Sequence, residues 1–326
     1  MAIHYAIRHL TRFTYAAPVS ESVMELRMRP ATDHAQRCLQ FDVDLQPRAR
    51  VFAYRDFLGN WVHHFDLPRR HSRMAVTARA QVQIDAPPPL PEALPPSAWD
   101  EVDAWTARDE HWDFRRPSRF VEWTDALVAF ADALGARATR AQDPLTVVRG
   151  VMDAIHREFE YAPKSTRVDS PIDEALAARR GVCQDFTHIM LAVLRRLDLP
   201  CRYVSGYIAP RALGEDDGPV TIATHAWVEV HLPGLGWMGV DPTNALPAGL
   251  RHVRVAVGRD YADVPPTRGV YKGGGASHLE VSVDVTPGET LPTADTAVVG
   301  GTWTADAAAP DESAERAAHE QQQQQQ

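Results

Sequence analysis

The hydrophobic period of this chain breaks across a run of prolines. Upstream, Ile3, Tyr5, Ile7, Thr11, Phe13 and Tyr15 all fall on odd positions, the period of two that marks a half-buried strand. Leu39, Phe41, Val43 and Leu45 repeat it, and so do Val76, Ala78, Ala80, Val82 and Ile84. Val51–Phe57 and Trp61–Phe65 flank Leu58-Gly59-Asn60 and predict a hairpin. Pro87-Pro88-Pro89-Leu90-Pro91 and Pro95-Pro96 then break the pattern, as a stiff extended spacer does. Beyond them the period becomes helical over 120–134 and 145–159, where Asp143-Pro144 supplies an N-cap and first-turn pair. Short strands return over 201–208, 225–232 and 237–241, the last two joined by Pro233-Gly234-Leu235-Gly236.

This order predicts an α+β chain: a β-sandwich over 1–85, a Pro-rich linker over 86–98, an α+β domain over 99–286 and a tail over 287–326. A length of 326 residues allows two cores. The tail ends in six glutamines and, from Thr302 onward, has too little apolar content to fold. It also carries seven acids against one base, so the body holds only −3 of the chain's net −9. No basic excess points to nucleic acid. No apolar run is long enough to span a membrane, and Met1–His9 lacks a signal-peptide core. The expected compartment is the cytoplasm, where three scattered cysteines, Cys38, Cys183 and Cys201, stay reduced.

One of these cysteines stands apart. Cys183 follows Gly181-Val182 and opens a run in which Phe186, Ile189, Met190, Val193, Leu194 and Leu197 form one helical stripe. A helix N-terminus offers unpaired N–H groups and a positive dipole end, both of which favour negative charge on sulfur. A thiol nucleophile also needs a base, usually histidine, and a group to orient it. His188 lies five residues on, about 140° around the helix, and so points away from the sulfur. His225 shares one strand face with Trp227 and Glu229, and Trp227 can shield a thiolate–imidazolium pair from water. Asp241 lies sixteen residues beyond His225 across a tight turn, which predicts carboxylate and imidazole opposite each other on adjacent strands. Asn244 is the alternative orienter. Trp227 and Gln184 are candidate substrate contacts, Gln184 as a side-chain oxyanion donor beside the better-placed Cys183 N–H. Cys201 reads as core, and Cys38 has no catalytic context. The short paired spacings of zinc sites are absent, so no metal is expected.

At these residues the chain resembles the transglutaminase-like superfamily in its bacterial and archaeal branch. The resemblance rests on Gly181-Val182-Cys183-Gln184-Asp185-Phe186, Arg202–Tyr207, Thr224–Val230 and Gly236–Asn244. His9–Tyr15, Pro18-Val19 and Asp56–Asn60 resemble the β domain that accompanies this branch. Val257–Val264 and Gly269-Val270-Tyr271 resemble its usual ending. The resemblance implies a papain-like α+β core, a Cys183-His225-Asp241 triad and amide chemistry through a thioester, with no cofactor. It implies a peptide or protein substrate. Water as acceptor gives an amidase or peptidase, an amine acceptor gives a transglutaminase, and loss of turnover would leave a peptide-binding module. Within the ending, Gly258-Arg259-Asp260-Tyr261 has two readings, a lining of the substrate cleft or, the favoured one, an Arg259–Asp260 pair that holds the last loop.

Overall fold

A computed structural model describes residues 2–135, 139–210, 224–273, 275–288 and 302–306. Its strands begin with β1 (Ala2–Val19), β2 (Glu21–Leu26), β3 (Gln36–Gln46), β4 (Phe52–Arg55), β5 (Trp61–Leu67) and β6 (His71–Asp85). Then come α1 (Ala98–Ala107), α2 (Asp125–Ala133), α3 (Pro144–Glu158), β7 (Glu160–Tyr161), α4 (Ile172–Ala178), β8 (Arg180–Gly181) and α5 (Cys183–Arg195). The chain continues through β9 (Cys201–Ile208), β10 (Thr224–Leu232), β11 (Gly236–Asp241), β12 (Leu246–Pro247) and β13 (His252–Gly258). It closes with β14 (Thr267–Lys272), β15 (Ser277–Pro287) and β16 (Thr302–Asp306).

The N-terminal strands form two facing sheets, ordered β16-β15-β1-β6-β3 and β14-β2-β5-β4. Met24, Leu26, Phe65 and Leu67 from one sheet meet Leu45, Met74, Val76 and Ala78 from the other, so this part is a β-sandwich. Its membership departs from the sequence reading at the far end. Residues 267–286, expected within the second domain, complete the sandwich: β14 pairs with β2 and β15 pairs with β1, both antiparallel. The physical reason is that strands β1 and β2 each need a ladder partner for their backbone groups, and the returning chain supplies it. The tail reading also needs correcting at Thr302–Asp306, which pairs with β15 as an edge strand. Edge pairing needs backbone groups rather than apolar side chains. The rest of the tail reading lies outside the described residues.

The second layer is a five-stranded antiparallel sheet ordered β12-β11-β10-β9-β13. The apolar face of α5 (Phe186, Ile189, Met190, Val193) packs in one core with Ala226, Val228 and Val230 of β10. Helix α3 starts as predicted, Asp143 capping it through Leu145 and Thr146 N–H groups at 3.0 and 3.2 Å. The helix expected over 120–134 starts only at Asp125, because Thr124 caps it by accepting from Leu127 N–H at 3.2 Å. Phe120 is held outside it by Asp260, whose Oδ2 accepts its N–H at 2.9 Å.

The two layers share a strand face. Along β6, Met74, Val76 and Ala78 belong to the sandwich core, whereas Ala80, Val82 and Ile84 belong to the core built on α5. Two side-chain amides add to the join. Asn60 donates to Val257 O and accepts from Val257 N, each at 2.8 Å. Gln36 does the same with Arg254, donating and accepting at 2.8 Å. Each amide thus stands in for a missing neighbour strand along the edge of β13.

Candidate active site

The approach to Cys183 is shaped by its two predecessors. Val182 is extended, with φ −116° and ψ 178°. Its N–H is taken by Asp185 Oδ2 at 2.8 Å, and that oxygen also accepts from Thr166 Oγ1 at 2.6 Å. A Cβ on Gly181 would stand 2.8 Å from the same oxygen, which accounts for glycine there. Thr187 Oγ1 donates to Cys183 O at 2.7 Å. Cys183 is therefore the first residue of α5, half-buried, with its side chain free to meet the sheet.

On the sheet, the β10–β11 ladder ends at the Val228–Val240 pair. Asp241 consequently lies diagonal to His225 rather than opposite it, a small correction to the expected register. Its carboxylate spans the offset: His225 Nε2 and Asp241 Oδ2 are 2.8 Å apart. Nδ1 is the nitrogen left for a further partner, and the Cys183 side chain is close enough to act on the same imidazole. All three predicted triad residues are thus brought together around the His225 imidazole.

Burial works against a charge on His225. Asp241, by charge and hydrogen bond, and then Cys183 outweigh that penalty and lift the imidazolium to about 10. Burial likewise opposes the Asp241 carboxylate, and the His225 cation, its hydrogen bond and a further bond from His252 hold the carboxyl far below the usual range. This aspartate is densely anchored. Oδ1 accepts from Thr243 N and Asn244 N at 2.9 and 3.3 Å, and Oδ2 also accepts from Asn244 Nδ2 at 2.7 Å and His252 Nε2 at 3.1 Å. Asn244, the alternative orienter, therefore supports Asp241 and leaves His225 to it.

Trp227 is 2% exposed. Its ring lies 6.1 Å from that of His225, nearly parallel, and 5.1 Å from that of His252, edge-on. It fits because position 206 is glycine, where a Cβ would sit 2.6 Å from the indole; Gly239 makes room for Ala248, whose Cβ an added Cβ at 239 would meet at 2.5 Å. Trp227 and His252 also wall a cleft of about 750 Å³ between β11, the β12–β13 turn and the proline-rich segment. Gln184 donates its amide to Val168 O at 3.0 Å, tying the 162–171 loop over the start of α5.

His188 is where the helical angle put it, away from the sulfur. It is buried against Phe120 with rings 5.5 Å apart, accepts Tyr261 N–H at 3.3 Å and is pushed down to about 3 by burial. The Arg259-Asp260 pairing is corrected: Arg259 forks onto Asp263 at 2.9 Å through both Nε and Nη2, while Asp260 accepts from Phe120 N and Ala262 N. Cys201 is buried and Cys38 bonds Gln40 O. The residue that sequence reasoning missed is His252. No local pattern marks it, since it reaches Asp241 through the pairing of β13 with β9. His225, Asp241 and His252 cluster closely enough to suggest a metal. Both ring nitrogens, however, point at one carboxylate oxygen at hydrogen-bond distance, whereas zinc ligands point at a common ion about 2.0–2.2 Å away.

A helix-start cysteine packed against an antiparallel sheet that carries histidine and aspartate defines the papain-like α+β class. Residues 132–242 match the transglutaminase-like superfamily, and residues 5–83 match the bacterial transglutaminase-like N-terminal region. An uncharacterized protein of Mycobacterium leprae is 32% identical over 278 residues, covering 85% of this chain and 96% of its own length. One of Mycobacterium tuberculosis is 34% identical over 298 residues, covering 87% and 93%. A protein-glutamine gamma-glutamyltransferase of Pseudomonas aeruginosa is 30% identical over 191 residues, 54% of this chain and 28% of that protein. A solved structure of a candidate cysteine protease from Cytophaga hutchinsonii shares the fold with TM-score 0.64 at 18% identity, covering 94% of this chain and 98% of that one. The chain belongs to the transglutaminase-like superfamily, in the form that carries the bacterial N-terminal region.

Proposed function

We propose that this protein is a cysteine-dependent hydrolase of peptide-type amides. The reading is carried by one observation: the His225 imidazole lies 2.8 Å from the Asp241 carboxylate and within the influence of the Cys183 side chain. The Cys183 thiolate attacks the amide carbonyl carbon, and the oxyanion that forms is met by the first-turn N–H groups of α5. The His225 imidazolium gives its proton to the leaving nitrogen as the C–N bond breaks, leaving a thioester. Neutral His225 then takes a proton from water, whose oxygen attacks the thioester, and the acid and the thiol are released. Asp241 keeps the imidazole in one tautomer and stabilises its cation.

A second reading, transfer to an amine in place of water, is favoured by the similarity to the Pseudomonas glutamyltransferase. Both share the thioester and differ only in the acceptor. Iodoacetamide labelling tests the shared part: Cys183 should react fastest of the three cysteines, and His225→Ala should slow it near neutral pH. Equal reactivity of all three in the folded protein would defeat it. A glutamine peptide assayed with a fluorescent primary amine separates the acceptors. Release without incorporation supports hydrolysis, and incorporation supports transfer.

A further inference from the structure

Two imidazoles converge on one carboxylate oxygen. His225 Nε2 and His252 Nε2 lie 2.8 and 3.1 Å from Asp241 Oδ2. The tautomer of His252 follows from its other nitrogen. Nδ1 accepts the Gly249 N–H at 3.2 Å, so it carries a lone pair, and the proton sits on Nε2, facing the carboxylate. His252 is 6% exposed, and its burial favours the neutral ring against the pull of Asp241. It is a neutral donor to an anion that also serves a cation.

We propose that His252 is a positioning residue that shares the Asp241 carboxylate with His225 and so limits how firmly that carboxylate holds the imidazolium. The inference rests on the acyl-transfer reading above. A carboxylate that accepts an additional N–H is a weaker partner for the first. An imidazolium held too tightly is a poor acid toward the leaving nitrogen, because efficiency peaks when the catalytic group titrates near working pH. Among the described residues, the charged groups around His252 are few. Asp241 faces it from β11 and His225 from β10, with Arg251 immediately before β13. Beyond Asp241 stand Cys183 of α5 and Tyr161 of β7. Arg254, on the same strand, is held by Glu229 and Asp33.

The test compares His252→Phe, which keeps a ring without the donor, with His252→Gln, whose amide N–H can reach the same oxygen. Cys183 alkylation by iodoacetamide is followed against pH in the full chain. Its rate rises when the thiolate–imidazolium pair forms and again when His225 loses its proton, since a thiolate freed of the cation is the stronger nucleophile. In H252F the second rise should move to higher pH, and in H252Q it should return toward wild type. With a peptide amide, kcat of H252F should fall roughly tenfold or more with KM little changed, the loss expected for a hydrogen bond to a charged group. An unmoved second rise in H252F, or an equal shift in H252Q, overturns the proposal. If H252F fails to fold, ¹⁵N spectra of the wild-type imidazoles decide: His252 must be neutral and Nε2-protonated while His225 is charged, and any other state overturns it. Because alkylation needs no substrate, a wrong assignment of the reaction would appear as absent turnover with this profile intact.

Discussion

Asp241→Asn removes one charge at the centre of the site and nearly preserves the shape. His9 shows what burial does to an imidazole without a carboxylate partner: it is held down to about 4. His225, equally buried, is held up to about 10 from an ordinary 6.5, a difference that corresponds to about 5 kcal/mol favouring the imidazolium. Asparagine should forfeit most of it, and His225 should then be neutral at pH 7. Cys183 would lose its cation, and an unassisted thiol is only a few per cent thiolate at that pH. Alkylation of Cys183 at pH 7 should therefore fall about thirtyfold. Turnover should fall further, by up to about 10⁴, as it does when the orienting aspartate of a serine triad is replaced. The assay is the pH dependence of iodoacetamide labelling, read by mass of the Cys183 peptide, with thermal unfolding as the control. Facing His252 and Asn244 with an amide should cost about 1–3 kcal/mol of stability. Labelling at pH 7 within twofold of wild type, in a folded D241N protein, would refute the ion-pair argument.

Gly206→Ala would place a methyl 2.2 Å from Val253 O and 2.6 Å from the Trp227 ring; a loss of about 3 kcal/mol in urea unfolding, with reduced Cys183 labelling, is expected. Asn60→Ala strips both bonds from the Val257 backbone and should cost roughly 2–4 kcal/mol by the same assay. Acidification should destabilise the fold before its carboxylates titrate. His9 and His188 are held down to about 4 and 3, so from pH 6.5 toward 4 the unfolded chain binds protons that the fold refuses. Stability then falls by up to about 1.4 kcal/mol per pH unit for each, and His9→Gln should flatten the slope in urea titrations. His225 acts oppositely: its contribution is complete below pH 6.5 and is lost as pH rises through about 10.

What could be read in advance was local. The start of α5, the β10–β11 hairpin and the spacing of His225 and Asp241 are written in short-range period, turn residues and one helical angle. His252 could not be read, because its place depends on β13 pairing with β9 across an irregular register between Arg254 and Ala256. The partners of β1 and β2 were hidden for the same reason. Alternation at Val281, Val283 and Val285 announces a strand but names no neighbour, and the neighbour lies some 270 residues away. Arg259 found Asp263 rather than Asp260 because its own backbone N–H already meets the Asp263 carboxylate at 2.9 Å.

The pairing of β15 with β1 has a consequence for how the molecule is made. Chains fold as they leave the ribosome, N-terminal portions first. Here β1 waits for a neighbour at Ser277–Pro287, synthesised only after Cys183, His225, Asp241 and His252 have all emerged. Until then one long edge of the first sheet stands open, the geometry that invites pairing with another nascent chain. The sheet that braces the site thus closes only after the site's own residues have emerged, and a ribosome stalled before β15 would release a chain with Cys183 present and its frame unclosed.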